Sequence, residues 1–455
     1  MLRHIHMVGI GGTGMNGIAE ILLNLGYKVS GSDLVSQEST QRLSKLGADI
    51  NIGHKGGLVK GADVVVISSA VKQDNIEVQE AKKLKIPVIP RAEMLAELMR
   101  LKNSIAVTGS HGKTSTTSMI AQVLENGDLD PTIIVGGRLN TIGAHAKLGE
   151  GEFIVAEADE SDRSFLYLSP YIAVLTNLDE EHLDQYKTVE EIKINFINFA
   201  NKVPFYSPVI LCLDDSNLQS LIPELERKIV TYGFSAQADI YAADQEFEHF
   251  SSTSTLHYKN KKLGALKLNV PGVHSIYNAM AAVAVGINLD IPVPTILEAL
   301  ENYQGIGRRF ELKEKIKDIM VVEDYAHHPT EIIKTLEAAK QGWMRRTLVV
   351  FQPHRYSRLS LLMEEFATSF NQADVLITSE IYPAGENPIP GISGEKLYEE
   401  IQRFGHKNVY FEPELKKIPE RVAELSLPKD MILVLGAGSI SGIIPDIIKK
   451  LRGEK

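Results

Sequence analysis

Cys212 is the only cysteine among 455 residues. No intrachain disulfide can form, and a reducing compartment is expected. No apolar run approaches the ~20 residues that a membrane-crossing helix needs. The opening segment, MLRHIHMVGI, runs straight into strand-like sequence without the apolar stretch of a secretory leader. A cytoplasmic location is therefore expected. Lys and Arg form no basic stripe and the net charge is −10, which argues against nucleic acid as the main partner, because neutralising a phosphate backbone takes clustered cations. An anionic small molecule stays compatible with that charge, since a few local donors suffice. Low-complexity tracts and short solenoid repeats are also missing.

What is present is the balance of a globular protein: 44% hydrophobic and 23% charged residues. The length predicts about three domains. Residues 5–8, 28–32 and 64–67 read as strands, alternating with amphipathic stretches at 15–25, 76–84 and 91–100. Such alternation predicts a parallel sheet covered by helices. After a polar break at Lys102 and Asn103, strands are predicted at 104–108, 153–156 and 172–175, with a β-rich, solvent-facing stretch at 253–270. Gly305-Ile306-Gly307 reads as a hinge or linker. Strands at 319–322, 348–351, 375–378 and 432–435 then make a third α/β region. The expected domains are 1–102, 103–306 and 307–455.

The first glycine-rich loop, GIGGTG at 9–14, follows a strand and opens a helix. Glycines there let the backbone turn sharply and approach a phosphate at the positive end of the helix. Asp33 ends the second strand, where an acid often accepts a ribose hydroxyl. The competing view is a tight turn without a ligand, and the motif alone does not separate NAD from a nucleotide sugar.

The second loop, TGSHGKT at 108–114, has the spacing G-x-x-G-K-T, two residues shorter than the common phosphate-binding loop. Its amides would face phosphate oxygens, Lys113 would reach the β- and γ-phosphates, and the Thr114 hydroxyl would coordinate Mg²⁺. Beyond it, Glu157 ends a predicted strand and opens the acid-rich run EADESD. Acids packed this closely repel unless a cation or solvent separates them, so a metal ligand is expected among them; a solvated acidic loop is the alternative. His182, in TNLDEEHLD, is a candidate metal ligand, although a single histidine is usually an ordinary residue.

His274 and Asn278 stand four apart on a predicted helix and share a face able to grip a base or ribose. Arg308 and Arg309 follow the glycine hinge and offer guanidinium groups for phosphate, a domain-boundary salt bridge being the plainer role. In the third region, DYAHHP and QPHRYSR each follow a strand and precede a helix. Two polar loops at one sheet edge make a credible site, but neither specifies a reaction.

Together these segments, with VGIGGTGMNGIAEILLNLGYKVSGSD, GVHSIYNAMAA and GRRFE, resemble the Mur ligase family across nearly the whole chain and in the family's order. The resemblance implies an α/β protein of three domains: an N-terminal Rossmann-like UDP-sugar domain, a central P-loop ATPase-type domain and a C-terminal Rossmann-like amino-acid domain. It implies an ATP-dependent ligase of peptidoglycan precursor synthesis that joins L-alanine to the carboxylate of UDP-N-acetylmuramate through an acyl phosphate. Mg²⁺ is the implied metal, with Mn²⁺ able to substitute. On the same resemblance Gly9, Gly11, Gly12, Gly14, Asp33, Ser68 and Ser69 hold the UDP-sugar. Gly109, Ser110, His111, Gly112, Lys113, Thr114, Ser115, His274, Asn278 and Arg309 hold ATP, and Thr114, Glu157 and His182 hold metal. Tyr325, His327, His354, Arg355 and Arg358 serve the amino-acid and phosphate side, with Lys113, Glu157, His182 and His327 as catalytic candidates.

One position departs from several relatives, which carry a carbamylated lysine downstream of the HLD motif. Counting from His182, Phe196 stands there, so a second metal would be held differently or weakly. Other activities compatible with the motifs are addition of a preformed peptide to the same sugar, and a nucleotide-dependent regulatory protein that forms no bond. Folylpolyglutamate-type ligases share the ATPase plan but would not need the first nucleotide domain.

Overall fold

The computed structural model describes residues 3–68, 70–139, 144–161, 163–179, 186 and 188–454. Five short strands near the amino end, β1 (His4–Val8), β2 (Lys28–Asp33), β3 (Asp49–Ile52), β4 (Val64–Ile67) and β5 (Val88–Pro90), form an all-parallel sheet in the order β3-β2-β1-β4-β5. The order reverses between β1 and β4, so their carboxyl ends diverge into a crevice, where such sheets place ligands. Gly9 follows β1 and Ser68 follows β4 there. β3 and β5 escaped the sequence pattern because DINI is half polar and VIP is only three residues long.

The second sheet contains β6 (Asn103–Thr108), β7 (Thr132–Leu139), β8 (Ala144–Lys147), β9 (Phe153–Glu157), β10 (Ile172–Leu175), β11 (Pro208–Cys212), β12 (Lys228–Gly233) and β13 (Ile240–Glu248), continued by β14 (Ser251–Tyr258) and β15 (Lys261–Leu268). Its centre runs β11-β10-β6-β9-β7, all parallel. The carboxyl ends of β6, β9 and β10 therefore lie side by side. Residues 105–107, 154–156 and 172–175 of these strands are buried and apolar, as expected when helices cover both faces.

The third sheet has the order β16-β17-β21-β18-β19-β20, from β16 (Glu311–Ile316), β17 (Ile319–Asp324), β18 (Thr347–Phe351), β19 (Val375–Thr378), β20 (Val409–Phe411) and β21 (Met431–Leu435). Only the edge pair β16–β17 is antiparallel. Strand alternation divides its core in two. Val322, Val349, Phe351, Leu433 and Leu435 pack on one face with Phe310 and Trp343, while Val321, Leu348, Val350, Ile432 and Val434 pack on the other. Truncating a residue as buried as Phe351 to alanine would cost about 3–5 kcal/mol.

By compactness the chain divides into one unit of residues 1–244, 254–267 and 276–304 and another of residues 245–253, 268–275 and 305–455. Among the described residues no helix is long and apolar enough to cross a membrane.

Candidate functional site

The loop after β6 is built by its glycines. Gly109 adopts φ +136° and Gly112 φ +79°, the latter capping the helix Lys113–Asn126. A Cβ on Gly109 would sit 2.2 Å from Thr176 Oγ1, and one on Gly112 would sit 2.8 Å from Asn278 Oδ1. Both positions thus demand glycine by conformation and by space. The segment after β10 braces the loop from outside. The His111 amide donates to Asn177 Oδ1 (2.7 Å), Asn177 Nδ2 and Thr176 Oγ1 donate to the His111 carbonyl (3.0 and 2.7 Å), and the Asp179 amide donates to Ser110 Oγ (2.9 Å). Thr116, buried on the following helix, donates to Asn278 Oδ1 (3.1 Å). Asn278 is thereby brought to the loop. Thr114 and Ser115 lie on the first turn of that helix.

Lys113 Nζ donates to the Gly109 and Ser110 carbonyls (2.6 and 3.3 Å) and to Glu160 Oε1 (2.8 Å). Glu160 is almost wholly buried. Burial pushes its carboxyl up, with the Lys113 charge acting against that. At Asp159 burial pulls the same way, but Lys113 and Ser161 outweigh it and the carboxyl falls below its ordinary range. The sequence pattern did not single out Glu160 or Asn177; the acid-rich run and the polar segment after β10 were the only local signals of them.

Glu157 is the last residue of β9, and its Oε1 accepts the Gly136 amide (2.7 Å). Ser69 and His182 lie outside the described residues. Phe196 is fully buried on the helix Val189–Ala200, its ring 5.5 Å from that of Phe165. That position is a core contact and offers no donor to a cation.

In the N-terminal crevice Gly9 has φ +76°, and the amides of Gly9 and Ile10 donate to the Ser32 carbonyl (2.8 and 3.1 Å). Asp33 Oδ2 accepts the Gly11 amide (2.8 Å), so this acid braces the loop itself. A Cβ on Gly9 would meet Ser68 Oγ at 2.8 Å, placing Ser68 against the loop. Gly12 is the N-cap of the helix Thr13–Asn24. A Cβ on Gly14 would meet Arg91 Nη1 at 3.0 Å, and Arg91 Nη2 lies 3.9 Å from Asp159 Oδ2. Arg91, a residue with no sequence signal of its own, thus joins the first helix to the acid-rich run.

In the second unit the loops after β17 and β18 meet. The ring of Tyr325 is 5.1 Å from that of His327, which is 5.7 Å from that of His354. Arg358 Nη1 lies 3.2 Å from His354 Nδ1, and Arg355 takes φ +72° while its amide donates to the Tyr382 carbonyl (2.9 Å). Arg308 and Arg309 lie over the Tyr325 ring at 4.8 and 5.3 Å. Arg308 also donates to Glu323 (2.7 Å), the salt-bridge role, and Arg309 to Glu331 (3.4 Å). The chain divides between residues 275 and 276, so His274 belongs to this unit and Asn278 to the other, although both lie on the helix Val273–Asn288. Burial, then the Arg309 charge, holds the His274 imidazole down at about 4.

Burial pushes His327 down to about 3 against the pull of Glu331, and burial with Arg358 takes His354 to about 4. His327 Nδ1 donates to the Tyr325 carbonyl (2.9 Å), leaving Nε2 as the acceptor of a neutral ring. The folded chain thus keeps these rings neutral where the unfolded chain, with its ordinary value of 6.5, protonates them. Their contribution to stability is complete above pH 6.5 and is lost as pH falls toward about 4. Thermal melts across that range should show a shallower acid limb for His327→Asn than for the wild type. Parallel limbs would contradict the neutral assignment.

Family models match three successive segments: "Mur ligase family, catalytic domain" over residues 4–103, "Mur ligase middle domain" over 107–286 and "Mur ligase, glutamate ligase domain" over 308–438. The chain is 53% identical to the UDP-N-acetylmuramate–L-alanine ligase of Geotalea daltonii, over 99% of this chain and 98% of that one. It is 54% identical to the enzyme of the same name from Pelobacter propionicus, over 96% of each. The crystal structure of a UDP-N-acetylmuramate–alanine ligase from Thermotoga maritima superposes with a TM-score of 0.85 at 28% identity, covering both chains fully. A murein peptide ligase from Psychrobacter arcticus gives 0.73 at 25% identity, over 100% of this chain and 99% of that one.

Proposed function

The chain belongs to the Mur ligase family, and from that premise we propose that its loops act together to join L-alanine to the carboxylate of UDP-N-acetylmuramate at the expense of ATP. The observation that carries this is identity of 53% with a UDP-N-acetylmuramate–L-alanine ligase over nearly the whole of both chains. The enzyme is a ligase of peptidoglycan synthesis. The lower likeness to the peptide-adding enzyme does not favour that alternative. We assign the UDP-sugar to residues 1–102, ATP to 103–306 and the amino acid to 307–455. ATP and a UDP-linked sugar as substrates support a cytoplasmic setting for the reaction.

A carboxylate resists an amine because its leaving group would be oxide. Phosphorylation by ATP gives an acyl phosphate; the amine then adds, and phosphate departs. Both partners in the first step are anions, which at ~4 Å and an effective dielectric of ~20 repel by ~4 kcal/mol per pair of unit charges. Lys113, moving from Glu160 and its loop carbonyls onto the β- and γ-phosphates, offsets that repulsion. The backbone amides at the start of the helix Lys113–Asn126 orient the triphosphate, and Asn278 contacts the nucleotide beside the loop. His327 Nε2, the acceptor of a neutral ring, is our candidate to hold the alanine amine by a hydrogen bond once that amine is neutral.

The donors fit Mg²⁺: the Thr114 hydroxyl and the Glu157 carboxylate are hard oxygens, set by one helix start and one strand end of the same sheet edge. Bound there, Mg²⁺ would neutralise charge on the phosphates. His182 is the proposed ligand for a second ion, which the buried Phe196 cannot help to hold. Glu157→Ala should weaken Mg²⁺-dependent ADP binding at least about tenfold, the loss expected for one charged ligand. Unchanged Mg²⁺ titrations would remove Glu157 from the metal site.

The deciding assay is phosphate release from ATP. It should require UDP-N-acetylmuramate and L-alanine together. Release that needs a tripeptide in place of L-alanine would replace this function with the peptide-adding one, and nucleotide binding without turnover would favour a regulatory protein.

A further inference from the structure

A line of hydrogen bonds crosses the interior of the N-terminal domain. His4 Nδ1 lies 2.9 Å from the Gly61 carbonyl and His4 Nε2 lies 2.7 Å from Ser30 Oγ. Ser30 Oγ lies 2.8 Å from His6 Nδ1, and His6 Nε2 lies 2.9 Å from Glu77 Oε2. Glu77 is wholly buried and His6 nearly so. Glu77 Oε2 also accepts the Ser32 hydroxyl (2.8 Å), and Oε1 accepts the Lys55 amide (2.9 Å). Ser32 Oγ lies 2.9 Å from His54 Nδ1. The line therefore passes through Ser32, whose carbonyl receives the amides that open the first glycine-rich loop, and reaches His54.

These links gather neighbouring elements on one buried carboxyl. Glu77 meets His6 and Ser32 with one oxygen and the Lys55 amide with the other. Burial works against the Glu77 carboxylate, but His6, Ser32 and the Lys55 amide outweigh it and hold it below its ordinary range. On the other side Ser32 has given its only proton to Glu77. It must accept from His54 Nδ1–H, which fixes that ring's tautomer and turns Nε2 away from the network.

For stability alone, apolar side chains of similar volume would serve as well as a buried polar network. What the hydrogen bonds add is fixed orientation at the sheet's carboxyl edge. We propose that Glu77 is a positioning residue that sets Ser32 and His54 for binding of the UDP-sugar, an inference that rests on the assignment of the glycine-rich loop to that ligand.

The groups facing the network come from every neighbouring element. They are His4 and His6 on β1, Ser30 and Ser32 on β2, His54 and the Lys55 amide after β3, and Glu77 on the helix Ile76–Lys83. Asp63 accepts the amides of Arg3 and His4 (2.8 and 2.9 Å), and Glu80 packs against Gly56. β4 contributes only Val64, Val65, Val66 and Ile67.

Calorimetric titration of the full chain with UDP-N-acetylmuramate, combined with steady-state kinetics, tests this. Glu77→Gln should weaken sugar binding and raise its KM about tenfold or more, with kcat at saturating sugar and the KM for ATP within about twofold of wild type. Ser32→Ala removes the hydroxyl that links Glu77 to His54, so it should lose sugar affinity on the same scale while kcat at saturating sugar is kept. Unchanged sugar binding in Ser32→Ala would overturn the proposal even if Glu77→Gln does not fold. Sugar binding unchanged in Glu77→Gln, or an equal loss of sugar binding, ATP binding and kcat, would overturn it too. Gly11→Ala, whose Cβ would meet Gln37 Nε2 at 2.4 Å, separates the two levels. Normal sugar binding in Gly11→Ala refutes the loop assignment itself, whereas its loss beside normal binding in Glu77→Gln refutes only the positioning role.

Discussion

Lys113→Ala is expected to lower turnover at least about a thousandfold, the scale of losing a cation that stabilises a transferring phosphoryl group. UDP-sugar binding, assigned to another sheet, should stay within about twofold. The structure adds a second consequence. Lys113 is paired with Glu160, whose carboxyl is already pushed up by burial. Removing the ammonium strips that buried acid of its cation, so the variant should also lose about 1–3 kcal/mol of stability, less to the extent that Glu160 takes up a proton. The double variant Lys113→Ala/Glu160→Gln should recover stability and no turnover. Phosphate release, sugar titration and thermal melts on the three chains separate the two roles. Near-wild-type turnover in Lys113→Ala would end the assignment of this loop to ATP.

Gly109→Ala should be more damaging to the fold than any loop substitution named above. The residue sits at φ +136°, a conformation that costs an L side chain about 1–3 kcal/mol. Its Cβ would fall 2.2 Å from Thr176 Oγ1 and 2.8 Å from the Asn177 carbonyl, overpacking that adds about 1–3 kcal/mol. Relief would push β10's following segment away and break the bonds by which Thr176 and Asn177 hold His111. Nucleotide binding and thermal stability should therefore fall together, where in Glu157→Ala only metal-dependent binding falls. An alanine variant that melts and binds ADP like the wild type would show that the loop is not held in this shape.

How much of this was legible depends on the range of the cause. The phosphate loop could be read because its demands are local: two glycines, a lysine and a threonine between a strand and a helix. The loops at 324–328 and 352–358 were visible for the same reason, each a polar break after an apolar run. β16, with the sequence ELKEKI, was not, since a charged edge strand looks like a solvated loop. β13 was missed because its exposed half is polar. His274 and Asn278 share a helix face in the sequence pattern, and only contact density assigns them to different units.

The amino-acid sequence by itself determined the kind of protein: alternating strands and helices, two phosphate-seeking loops and a polar third domain, all consequences of short-range periodicity and of residue types that backbone geometry or anion chemistry requires. Tertiary structure alone decided the partners. Lys113 meets Glu160 across 47 residues, His111 meets Asn177 across 66 and His6 meets Glu77 across 71. Which carboxylate faces which cation follows from the order of strands in a sheet, and no spacing within a single segment encodes that order.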